Sequence, residues 1–155
     1  MVFWPRGLRS EYIYFVVSGI VRSTYLRPDG EEVTHWLLGS GEIASIPTSL
    51  FTGSISHDDL RAVTDALVIK IPYDILSQNF ERFSYLNKIR VAVMQRYILS
   101  YEERSRALRM GTSQEQLDVF IAHYPEIYYA TPLQIVASFL GISKTTLVRL
   151  RQYNP

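Results

Sequence analysis

The chain has 155 residues, 47% hydrophobic and 20% charged, with a net charge of +1, which fits one globular domain or two small ones. It has no cysteine, which excludes a disulfide framework, a zinc ribbon and a cysteine-ligated iron–sulfur cluster. The charge is divided: residues 1 to 83 hold seven Lys/Arg against ten Asp/Glu, and residues 84 to 155 hold nine against five, so the C-terminal half carries the electrostatic footprint of a nucleic-acid reader.

No apolar run of about eighteen residues is present, and MVFWPRGLRS lacks the h-region of a secretory signal. A cytoplasmic protein that does not enter a membrane is therefore expected. From Tyr12 to about Ile71 the pattern is one of short strands and tight turns. Tyr12 to Val17, Ile20 to Leu26 and Glu32 to Leu38 are rich in β-branched and aromatic residues, and Arg27-Pro28-Asp29-Gly30 reads as a hairpin. Gly39-Ser40-Gly41 turns into Glu42-Ile43. The stretch from Ser45 to Asp59 is irregular, and Leu60 to Ile71 returns to strand character before Pro72. Strands of this length and spacing predict a small antiparallel barrel or sandwich.

Helical signals then take over. Tyr73 to Gln78 reads as a short helix. Ser84 to Met110 is free of Pro and Gly for 27 residues, a helix of about 40 Å at the standard rise. Its apolar stripe is Leu86, Ile89, Val93, Tyr97, Tyr101 and Leu108, with Met94 and Ile98 beside it. The repeat is near the 3.5 residues of helices that pair with their own copies. Ile89, Val93, Tyr97 and Tyr101 are therefore expected at a homodimer seam; the alternative is a core helix lying only on its own sheet. Gly111 ends the run. Thr112 with Glu115 forms a capping box opening a helix to about His123, and Tyr124, Pro125, Tyr128 and Tyr129 bridge to the last unit.

That unit, Thr131 to Arg151, reads as two short helices hinged at Gly141. Thr131 and Gln134 form a capping box, Val136, Ala137 and Leu140 face inward, and Ser143 caps the second helix. Leu147 and Leu150 point back at the first helix. The outer face of the second carries Lys144, Thr145, Thr146, Val148, Arg149 and Arg151 with no acid among them. These positions predict a helix-turn-helix whose second helix enters a DNA major groove. A plain packed helical hairpin is the alternative.

Barrel, long helix and helix-turn-helix, in that order, resemble the bacterial CRP/FNR superfamily of transcription regulators. The likeness is carried by Tyr12-Ile13-Tyr14-Phe15-Val16-Val17-Ser18-Gly19, the Asp29-Gly30 hairpin, Gly41-Glu42-Ile43, Leu60-Arg61-Ala62-Val63-Thr64-Asp65 and the C-terminal unit. The resemblance implies an α+β fold: a jelly-roll-like sensor barrel over 1–83, a dimerisation helix over 84–110 and a DNA-binding domain over 111–155. It also implies a homodimer on a double-stranded operator with two half-sites. For an effector pocket it implies Gly41 and Glu42 at a ribose, and an Arg at the position held here by Ser56, followed by His57. A buried anion needs a cation, so loss of cyclic-AMP binding is expected and an unidentified small-molecule effector stays open. A shifted alignment would instead give Arg61 the phosphate. Relative to the family, both ends are short.

On the second helix, Lys144 and Arg149 fall at the family's base-reading positions and Thr145 where cyclic-AMP-responsive members carry a glutamate. The resemblance thus implies an altered operator. Arg151 and Thr131 are expected at phosphates. His35, His57 and His123 lack metal-ligand spacing, and no nucleophile elbow, Walker loop or dinucleotide fingerprint occurs. Neither an enzyme nor a resident cofactor is expected.

Overall fold

In the computed structural model the β-branched runs pair as two antiparallel sheets. The strands are β1 (Val2–Trp4), β2 (Tyr12–Ser18), β3 (Val21–Leu26), β4 (Glu32–Leu38), β5 (Ile43–Ala44), β6 (Asp58–Ala62) and β7 (Leu67–Pro72). One sheet runs β1-β6-β3-β4 and the other β5-β2-β7. Alternation decides the faces: Tyr14 and Val16 of β2 point inward to meet Val21, Ala44, Ile46 and Leu60, while Phe15 and Val17 point out. The structure describes residues 1–153, apart from the side chains of Ala107, Leu108, Met110 and Tyr153. The stripe residue Leu108 and the last two positions of the expected DNA-binding domain lie outside the described residues.

The run Leu60 to Ile71, read as one strand, is two. Thr64 breaks it: its Oγ1 accepts the Ile20 N–H at 2.9 Å, and the Val63 N–H donates to the Ile20 carbonyl at 2.8 Å, so the chain turns from one sheet to the other. Gly19 sits against that turn with φ +83°, where any Cβ would collide with the Asp65 carbonyl oxygen. Two elements ahead of the helical half escaped the sequence. β1 pairs with β6, and the irregular stretch contains helix α1 (Pro47–Thr52), which starts on its proline and stops at Gly53.

Helix α2 (Tyr73–Arg82) leads into α3 (Ser84–Met110), α4 (Ser113–His123), α5 (Pro125–Ala130), α6 (Leu133–Leu140) and α7 (Lys144–Tyr153). The α4 capping box forms as expected: Glu115 N–H donates to Thr112 Oγ1 at 3.3 Å and Thr112 N–H to Glu115 Oε2 at 2.7 Å. The aromatic bridge is itself helical, because Pro125 opens α5 and Ile127 and Tyr128 are buried. Leu117, Phe120, Val136, Ala137, Leu140 and Leu147 then join Ile20 and Leu37 of the barrel in one cluster. The C-terminal helices therefore share a core with the barrel. Thr34 of β4 donates its N–H to Ser138 Oγ of α6 at 2.9 Å.

The stripe on α3 divides between two faces. Ile89, Val93 and Tyr97 turn toward their own barrel, where Tyr97 lies 5.1 Å from the Trp36 ring. Val91, Met94, Ile98 and Tyr101 point the other way and are 44% exposed or more, with nothing over them. Of the residues expected at a dimer seam, Tyr101 stands on that side, while Ile89 at 55%, Val93 at 37% and Tyr97 at 38% are also partly open, beside the barrel. The division has a geometric cause: at ~100° per residue, positions 89, 93 and 97 are turned away from 91, 94 and 98.

Candidate nucleic-acid interface

Gly141 adopts φ 70° and ψ 25°, its N–H reaching back to Ser138 O and Ile142 N–H to Ala137 O, and this left-handed corner sets α6 and α7 at 103°. Leu147 is fully buried and Leu150 packs on the same core, which fixes the roll of α7. Ser143 Oγ accepts the Thr146 N–H at 3.0 Å and lies 2.8 Å from Thr146 Oγ1, so both hydroxyls are committed to the cap. Lys144, Thr145, Val148, Arg149 and Arg151 are exposed. Among the described residues no acid pairs with Lys144 or Arg149. The Arg151 guanidinium lies 5.6 Å from the Tyr128 ring centre.

Thr131 departs from expectation. It is 5% exposed, its buried hydroxyl has no partner among the described residues, and α6 follows Pro132 as N-cap without a side-chain cap. Pro132, with φ −55° and ψ 135°, takes the N-cap place expected of Thr131. The Thr131 hydroxyl is thus turned away from solvent in this arrangement.

The effector residues expected together are placed apart. Ser56 is buried, its Oγ accepting the Asp58 N–H at 3.0 Å and donating to the Asp58 carbonyl at 2.7 Å. His57 beside it is exposed. Arg61 lies on the outer face of the four-stranded sheet, 3.1 Å from Asp59 and 3.2 Å from Glu32. Arg6 and Arg22 join the same carboxylates there, Arg22 at 2.5 Å from Glu32. Burial alone raises the Asp59 carboxyl, but hydrogen bonds from Arg6 and Arg61 outweigh it and hold that group below its ordinary value. One amino group of Arg61 is therefore held by these carboxylates, while its buried Nε has no partner among the described residues. Gly41 and Glu42 line a cavity against α3 that includes neither Ser56, His57 nor Arg61. Glu42 Oε2 accepts the Gly39 N–H at 2.7 Å, and burial raises its carboxyl.

Sequence reasoning missed Arg104. Its guanidinium donates to the carbonyls of His35 and, at 3.4 Å, of Phe139, and stacks 4.2 Å from the Phe139 ring centre. It thereby ties α3 to β4 and α6, and burial draws its pKa down to about 10, leaving it cationic at neutral pH. The available signal was its register: Arg104 follows Val93, Tyr97 and Ser100 on the barrel-facing side of α3. Among the described residues no group of His, Asp and Glu could hold a metal, and no single helix is long and apolar enough to cross a membrane.

Residues 2–83 match the family model for the cyclic nucleotide-binding domain. No curated protein matches the chain in sequence. Its fold is similar to that of FixK2 from Bradyrhizobium japonicum, with a TM-score of 0.85 at 18% identity over 99% of this chain and 79% of that one. It is also similar to the c-di-GMP-responsive global regulator CLP of Xanthomonas campestris, at 0.72 and 21% over 99% of this chain and 81% of CLP. A third likeness is to TTHB099, a CRP-family transcriptional regulator from Thermus thermophilus, at 0.67 and 17% over 98% of this chain and 79% of that one. With more than half its length inside the matched domain, the chain belongs to the cyclic nucleotide-binding domain family, and its α+β fold is similar throughout to that of these regulators.

Proposed function

We propose that the chain is a dimeric transcription regulator that reads double-stranded DNA with α7 and has a divergent effector region that does not take cyclic AMP. The observation that carries the DNA reading is the face of α7. Leu147 and Leu150 anchor the helix on α6 at 103°, leaving Lys144, Thr145 and Arg149 exposed with no acid beside them. Arg149 and Lys144 read base edges, and Arg151 positions the backbone. The division into a sensor barrel (1–83), a pairing helix (84–110) and a DNA-binding domain (111–155) belongs to the same reading.

Pairing is supported by the open side of α3, where Val91, Met94, Ile98 and Tyr101 recur at the three- and four-residue steps of a two-helix seam. Two copies so joined present two α7 helices for half-sites about 34 Å apart. The loss of cyclic-AMP response is supported by the bonding of Ser56 to Asp58, where the family carries an arginine, and by the ion pairs that hold Arg61 to Asp59 and Glu32. Selection of bound sequences from a random duplex pool by the purified chain tests the reading. Enrichment of a two-fold symmetric site is expected, and Ile98→Asp is expected to yield monomer and lose that symmetry. No enrichment above bulk DNA would refute the regulator, and micromolar heat of binding on titration with cyclic AMP would refute the divergent pocket.

A further inference from the structure

A cavity of about 340 Å³ lies outside the barrel core, where the long helix crosses both the barrel and the C-terminal helices. Its walls come from all three parts: Phe15 and Ile43 from the barrel, Ile89 and Val93 from α3, and Val119 and Phe139 from the C-terminal unit. Phe15 belongs to the outward face of β2, opposite Tyr14 and Val16, so this space is separate from the barrel interior. The volume is within the roughly 300–1,000 Å³ of small-molecule sites, and an aromatic and aliphatic lining with a few polar groups is their usual composition.

The polar groups define the ligand. Glu42 gives Oε2 to Gly39, but Oε1 has only Arg96 at 3.9 Å, beyond hydrogen-bond range. Glu42 and Arg96 cancel in charge, so an anion would meet the carboxylate and a cation would compete with the guanidinium. At the far rim His123 and Glu103 engage each other at 3.3 Å, and Arg104 spends its donors on the carbonyls of His35 and Phe139. An uncharged body with a single N–H or O–H aimed at Glu42 Oε1 fits these groups. A second copy seated on Val91, Met94 and Ile98 would cover the opposite side of α3 and leave the cavity open.

We infer that this cavity binds an uncharged, mainly aromatic small molecule bearing one hydrogen-bond donor, which Glu42 accepts and which bridges the barrel to the helical unit. Binding itself does not depend on the DNA reading; its consequence, a changed bias in the placement of α7, rests on that reading.

The test uses N-phenyl-1-naphthylamine, an uncharged aromatic with one N–H, titrated into the full chain and followed by its fluorescence. Saturable binding of one probe per chain is expected. Ile89→Trp and Val93→Trp, each confirmed folded by circular dichroism, fill the space and weaken binding by about tenfold or more, while Leu26→Ser, exposed at the hairpin end of the other sheet and outside the cavity lining, leaves it unchanged. Glu42→Gln keeps a carbonyl for Gly39 but turns an amide donor toward the probe. It weakens the amine by roughly tenfold, the scale of one good hydrogen bond, and strengthens the anionic 8-anilino-1-naphthalenesulfonate. Absence of saturable binding overturns the inference. So does binding lost in Leu26→Ser and kept in Ile89→Trp, or binding that vanishes as the chain is concentrated into a dimer, which assigns the cavity to the partner's helix. Because the readout is fluorescence, failure to bind DNA leaves this result standing.

Discussion

The outer face of the four-stranded sheet and the outer face of α7 are both rich in cations, and they use them in opposite ways. On the sheet, Arg6, Arg22 and Arg61 share Asp59 and Glu32, with Asp59 almost wholly buried beneath them. On α7, Lys144 and Arg149 extend into solvent with no acid within reach among the described residues. A guanidinium that has found its carboxylate is a structural part; one left without is available to a phosphate or a guanine. Cationic side chains are thus spent on folding in one half and, under the proposed function, left free for recognition in the other.

Removing the shared acid is the most drastic way to break that contrast. Asp59→Ala leaves buried donors of Arg6 and Arg61 unmatched and should cost about 2–3 kcal/mol in urea unfolding. That is below the range for fully buried pairs, because the arginine side chains are 27% and 32% exposed. The pH dependence carries the same sign. Asp59 titrates below its ordinary value in the folded state, so its contribution is complete above about pH 4 and is lost as the pH falls through the folded value. Thermal midpoints measured from pH 6 to pH 3 should therefore fall less steeply in Asp59→Asn than in the parent chain.

The next effect is on recognition. Arg149→Ala should change stability by no more than about 0.5 kcal/mol yet remove roughly 1–3 kcal/mol of discrimination at one base pair, read by competition between selected and altered duplexes. Arg61→Ala, the control from the sheet, should leave that discrimination untouched; if it does not, the two faces are not functionally separate. The smallest change is expected in Arg151→Ala. It should weaken binding about equally for all sequences and reduce the slope of log affinity against log salt by about one.

The expectations that survived rest on local signals. Arg27 to Gly30 makes its hairpin, Thr112 and Glu115 reciprocate, and Gly141 takes the left-handed corner, because each depends on a few adjacent residues. The failures are of another kind. Nothing near Thr131 in sequence says that its hydroxyl turns inward, nothing in the apolar run of α3 says which of its two sides meets the barrel, and the single strand read from Leu60 to Ile71 hides a crossing between sheets. The candidate site was legible on α7, where anchor residues and exposed residues alternate within one helix. It was not legible in the effector region, whose residues come from separate strands and loops.

By itself, then, the amino-acid order determined the helices and most of the strands, the glycine corner and the acid-free face beyond it, since backbone propensity and side-chain period act over a few residues. Only the assembled molecule decided that Arg61 is held by Asp59 and Glu32, that Arg104 binds the long helix to β4 and α6, and that a cavity opens between them. Those outcomes depend on charges and surfaces brought together from positions far apart in the chain, and how far each group is withdrawn from water is set by its neighbours in space.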